Sequence, residues 1–128
     1  MNEEDKDLLL KDLCARLPYG VKTIHTCNNY KMTIRGIDVP GKTADIIEDG
    51  GQHRFVAVPI EDIKPYLRRM DSMTEEETAE YTELFEGMPF CPDPVALIDW
   101  LNAHHFDYNW LIDHDLAVEV TEENNPYK

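Results

Sequence analysis

Serine is nearly missing from this 128-residue chain: Ser72 is the only one, it sits in Asp71-Ser72-Met73-Thr74, and no G-x-S-x-G surrounds it. Nucleophilic serine catalysis therefore has no motif to rest on. Cysteine is also scarce. Cys14, Cys27 and Cys91 are far apart, odd in number and free of any C-x-x-C, so neither a zinc knuckle nor a dithiol redox pair is on offer. Three reduced thiols are expected. The six glycines build no Walker or dinucleotide loop, because Gly50-Gly51 reads as a hairpin turn with no helix after it. Nothing in the sequence calls for a cofactor. Long apolar runs are absent as well: bursts such as Leu8-Leu9-Leu10 and Val56-Ala57-Val58 fall far short of the roughly 20 residues of a bilayer span. The acidic opening Met1-Asn2-Glu3-Glu4-Asp5 is unlike a signal peptide. A cytoplasmic protein with no membrane partner is expected.

Positive charge is the other shortage. Twelve Lys and Arg stand against 26 Asp and Glu, a net charge of -14. Such a chain repels nucleic acid and anionic lipid, so direct nucleic-acid binding is not expected. The deficit is also uneven. Residues 1–17 carry three basic and five acidic groups, residues 18–70 eight and six, and residues 71–128 one and fifteen.

Periodicity divides the chain at the same places. Asn2 to Leu17 reads as a helix, with Leu9, Leu10, Leu13 and Leu17 at three- and four-residue spacing and a stop at Pro18 and Gly20. Val21–Cys27, Tyr30–Asp38, Ala44–Glu48 and His53–Val58 read as strands separated by Asn28-Asn29, Pro40-Gly41 and Asp49-Gly50-Gly51. In the second of these, Tyr30, Met32 and Ile34 alternate with Lys31, Thr33 and Arg35. The segment from Pro59 to Leu67 suits one helical turn feeding a last short strand. Together these predict an α+β protein: residues 1–70 form a helix plus a small SH3-like β-barrel, or a bent antiparallel sheet crossed by the helix. Residues 71–128 are expected to form an acidic helical lobe packed on the first part as one compact unit. Thr74 and Glu77 make a capping box before a stripe of Tyr81, Leu84, Phe85 and Met88, ended by Gly87 and Pro89. Asp93-Pro94 opens a second helix that turns Leu97, Ile98 and Leu101 inward. Asp107 caps a third, through Ile112. Ala117–Val120 suggests an edge strand, and residues 121–128 a frayed end.

On the first acidic helix, Glu75, Glu76, Glu80, Glu83 and Glu86 fall within roughly 140° of arc, opposite the apolar stripe. With no lysine between them they repel one another, which suits either a plain solvated face or a surface for a basic partner. Other chemistries are weaker. His25 and Cys27 share a strand face but lack a third group to orient the imidazole. His104 and His105 diverge by roughly 100° around a helix, where paired metal ligands want i, i+4 spacing, and both suit packing and the negative helix end. A metal held by His104 with Asp107, His114 and Asp115 is the alternative to that packing role. Asp113-x-Asp115 lacks the rest of a calcium loop. Phe106, Trp100, Tyr108 and Trp110 read as core, since base stacking needs a basic frame. Any nucleic acid would meet Lys31, Arg35, Arg54, Arg68 and Arg69.

Four blocks, 10–22, 60–68, 73–77 and 99–108, resemble a group of small uncharacterised acidic proteins of gut anaerobic bacteria and their phages. The resemblance implies a bacterial cytoplasmic protein of mobile-element origin and carries over no activity, cofactor or catalytic residue. Three functions stay open on sequence grounds. The first is a non-enzymatic interaction module whose acidic helix meets an unknown, basic protein. The second is a phage-type DNA-mimic inhibitor of a nucleic-acid enzyme, and the third a metal-dependent hydrolase.

Overall fold

The computed structural model describes residues 1–86 and 94–127, with the side chains of Phe85 and Glu86 left aside. Helix α1 (Glu3–Arg16) begins where expected, because Asn2 caps it: its Oδ1 accepts from the Asp5 amide at 2.7 Å. It ends in a 3₁₀ turn over Leu17–Tyr19, and Gly20, at φ 69°, supplies the left-handed residue that releases the chain. Strands β1 (Lys22–His25), β2 (Lys31–Asp38), β3 (Thr43–Glu48) and β4 (Arg54–Pro59) follow as a meander. A 3₁₀ turn at Ile60–Asp62 then leads into β5 (Ile63–Arg69), which returns to pair antiparallel with β1. The five strands and the single turn before the last were readable from β-branched content, the alternation in β2, the turn residues and the prolines at 59 and 65.

The sheet order is β4-β3-β2-β1-β5, and two short strands extend it: β6 (Phe106–Asp107) and β7 (Val118–Glu119), both parallel to β5. The Arg68 amide donates to the His105 carbonyl, and the Leu67 carbonyl accepts from the Val120 amide. These two groups belong to one trans peptide and point opposite ways, so β6 follows β1 along one edge of β5 while β7 takes the other. Among the described residues β4 pairs only with β3, so the sheet stays open and the closed barrel is not formed. Register shifts in β2 between Ile34 and Gly36, and between β3 and β4 near Ala44 and Ile46, bend it. The leucines of α1 cover the apolar face that a closing strand would otherwise protect. Leu9, Leu10 and Leu13 join Met32, Ile34, Ile46, Ile60, Ile63 and Leu67 in one core, and Leu111, Leu116 and Ala117 from the second half complete it.

The second half departs from expectation in four places. Helices α2 (Glu75–Glu86) and α3 (Pro94–Ala103) are present, but residues 104–127 form no third helix. Asp107 caps turns instead: Oδ1 accepts from the amides of Asn109 and Leu111, and Oδ2 from that of Ile112. Trp110, at φ 61°, then turns the backbone out of the helical region. Of the α2 stripe, Tyr81 and Leu84 are only half-buried; the Phe85 side chain and Gly87, Met88, Pro89 and Asp93 lie outside the described residues. On α3, Leu101 is buried but Ile98 faces outward.

Residues 121–127 are folded back, not frayed. Asn124 Oδ1 accepts from the Thr121 amide and hydroxyl, and the Tyr127 ring stacks on His105 at 3.6 Å between centroids. The Tyr127 hydroxyl accepts from the Lys22 amide at 3.0 Å and donates to the Tyr66 carbonyl at 2.7 Å. The β1–β5 register ends at Thr23 opposite Pro65, so this hydroxyl bridges the next rung, where the two strands part.

Candidate interaction surface

Helix α2 is fixed at its N-terminus by two nested contacts. The capping box forms as read: the Glu77 amide donates to Thr74 Oγ1 at 3.1 Å and the Thr74 amide to Glu77 Oε1 at 2.9 Å. The same carboxylate takes both arms of Arg68 from β5, at 2.6 and 2.7 Å. That fork, aided by the Thr74 bonds, holds the Glu77 carboxyl down to about 2. Arg68 itself lies over the Phe106 ring, 4.3 Å from its centroid, so its position is set by the β5–β6 pairing. Sequence pattern gave the cap but not its cationic partner.

With that anchor in place, Glu75, Glu76, Glu80 and Glu83 are all exposed. Glu80 accepts from the Trp100 indole N–H at 3.0 Å, which ties α2 to α3. Glu75, Glu76 and Glu83 form no ion pair with a described residue. The side chain of Glu86 lies outside the described part. Between α2 and the folded-back tail runs an open groove of about 730 Å³, where Glu76, Glu77 and Glu80 face Glu122 across His104 and His105. The His104 ring is spoken for, its Nδ1 bonding the Trp100 carbonyl at 2.8 Å. His105 is held mostly neutral: burial, and then the charges of Arg16, His104, Arg68 and Lys22, lower its pKa to about 4.

Part of the acidic excess is neutralised internally by β5. Lys64 pairs with Asp115, and Arg69 with both Glu119 and Asp113. Arg68 and Arg69 are thus removed from any nucleic-acid face, which leaves exposed Lys31, Arg35 and Arg54. The proposed metal set is not assembled either, and no group of three or more potential ligands occurs among the described residues. Asp107 is buried with both oxygens on backbone amides, Asp115 is on Lys64, and His114 is exposed. Cys27 is in the turn after β1, not on the strand, and its amide, not its thiol, is what meets the imidazole, donating to His25 Nδ1 at 3.3 Å.

One polar cluster was not anticipated. Asp12 and Arg16, 1% and 0% exposed, form an ion pair inside the core, with Arg16 Nε 2.5 Å from Asp12 Oδ1. Asn109 donates to the second Asp12 oxygen at 2.8 Å, and the guanidinium lies over the Tyr108 ring. The signal was available: both residues fall on the arc of Leu9 and Leu13. The cluster joins α1 to the segment after β6. No described helix is long and apolar enough to cross a membrane. Comparison with protein families, with curated proteins and with solved structures returns no match for this chain.

Proposed function

We propose that this protein is a non-enzymatic interaction module that engages a basic segment of a protein partner through α2 and the groove beside it. The observation that carries this reading is the outward row of Glu75, Glu76 and Glu83, unpaired among the described residues, on a helix whose foot is pinned by Arg68 and Glu77. Four carboxylates, those of Glu76, Glu77, Glu80 and Glu122, line the adjoining groove. Among the described residues, only Glu77 there has a cation of the chain itself. Such a surface speeds encounter with a cationic partner and discriminates against anionic ones. The strand order β4-β3-β2-β1-β5, with a 3₁₀ turn before β5, supports reading the sheet as an opened SH3-like unit; the analogy concerns scaffold alone.

Titration with a 20-residue Lys/Arg-rich peptide tests the proposal. The triple change E75K/E76K/E83K is expected to leave the circular dichroism spectrum intact and to weaken binding at least tenfold. Unchanged affinity overturns the reading. Adding a DNA duplex to a captured partner addresses the mimic version of the same surface: displacement supports mimicry, and indifference removes it.

A further inference from the structure

We propose that Trp110 and the pocket beside it form a docking site for one arginine side chain of a protein partner, distinct from the α2 surface. The sequence reads Trp110 as core, yet it is 68% exposed, and its ring makes no ring contact among the described residues. Its outward position is built in. Leu111, wholly buried, hangs from Asp107 through its amide, and Trp110 is forced to φ 61°, a region that bulky residues rarely adopt. The His114 amide closes the turn on the Trp110 carbonyl at 3.2 Å. An indole fixed on a rigid turn loses little freedom when it is covered, and tryptophan and arginine dominate the centres of protein interfaces.

The neighbours specify the occupant. The pocket holds about 210 Å³ and is lined by Arg69, Met70, Asp71, Asp107, Trp110 and Asp113. That is below the roughly 300–1,000 Å³ of small-molecule sites and suits a single side chain. One guanidinium already sits here: Arg69 donates from Nε to Glu119 at 2.6 Å and from Nη1 to Asp113 at 3.0 Å. Asp107 is spent on backbone amides. Asp71 makes no hydrogen bond or ion pair among the described residues, so it remains for an incoming cation. A guanidinium laid on the indole face and forked onto Asp71 meets a cation–π surface and a carboxylate together, which no neutral side chain does.

The site is separate from α2 because Arg68 and Arg69 are consecutive on β5 and point to opposite faces: Arg68 lines the α2 groove and Arg69 this pocket. The test uses acetyl-Gly-Arg-Gly-amide, with its citrulline counterpart as the neutral isostere, followed by NMR at the Trp110 indole N–H and the Asp71 and Asp113 amides. Saturable shifts at about millimolar concentration are expected for arginine and not for citrulline. Asp71→Asn should weaken them at least threefold. Trp110→Gly, which suits the left-handed backbone and so keeps the turn, should abolish saturation at the two amides. E75K/E76K/E83K should leave the arginine shifts within twofold while failing in the α2 assay, so the two proposals fall separately. Equal shifts with citrulline, no effect of Asp71→Asn, or equal loss on charge reversal of α2 would overturn the site.

Discussion

Replacing Asp12 by Asn changes almost no volume and removes one charge, but that charge is the partner of a guanidinium with no access to water. Arg16 is 0% exposed and directs Nε and Nη2 at the two Asp12 oxygens, at 2.5 and 3.2 Å. Its Nη1 has no partner already, so nothing nearby takes over when the carboxylate is lost. Breaking a buried pair on one side costs about 3–5 kcal/mol, because the remaining charge stays desolvated. For a chain of this length that corresponds to a fall in Tm of roughly 10–20 °C. Replacing both partners by apolar residues of similar size, as in D12L/R16M, removes both desolvation penalties and should land within about 1 kcal/mol of the parent protein. Urea unfolding of the parent, the single variant and the pair, compared at equal slope, measures both numbers. A D12N protein within 1 kcal/mol of the parent, or a D12L/R16M protein as unstable as D12N, would refute the account and show Arg16 to be hydrated.

Two further outcomes follow from the same region. His105 has a folded pKa of about 4 against an ordinary value of 6.5, so the unfolded chain binds the extra proton first as pH falls. Its contribution is complete above about pH 6.5 and is lost towards pH 4, and His105→Asn, which tolerates the positive φ of that position, should flatten this part of the stability–pH curve; a slope unchanged in the variant would contradict the assignment. Tyr127→Phe keeps the ring on His105 but strips both the Lys22 amide and the Tyr66 carbonyl of a partner, a loss of about 1–3 kcal/mol with faster hydrogen exchange at the Lys22 amide. Unaltered exchange there would show that the strands close without the phenol.

What the sequence disclosed was decided by period and by punctuation. The β2 alternation of Met32 and Ile34 against Lys31 and Arg35 reports a sheet with one covered face, and prolines 59 and 65 leave room for only one helical turn between strands. Leu9, Leu10 and Leu13 likewise announce the buried side of α1. The second half was less legible because its backbone is held by side chains, not by repeats. Asp107 looks the same as a helix cap whether its oxygens serve a helix or a turn, and only the φ of Trp110 decides between them. Strands of two residues, such as β6 and β7, have no period to read. Tyr127 is held inward by the Lys22 amide and the Tyr66 carbonyl, both distant in sequence. Of the acidic surface, pattern gave the exposed glutamates; the Arg68 fork that fixes their helix depends on β5 and α2 meeting, which no local signal encodes.

The phenol that spans the parting of β1 and β5 also carries a kinetic consequence. Residue 127 reaches residue 22 across 105 positions of chain, so that rung forms only after one of the largest loops in the molecule has closed. A contact of such separation belongs to the late side of the folding barrier. Its energy should therefore appear almost wholly in the unfolding rate, acting as a clasp that slows escape from the native state without hastening arrival.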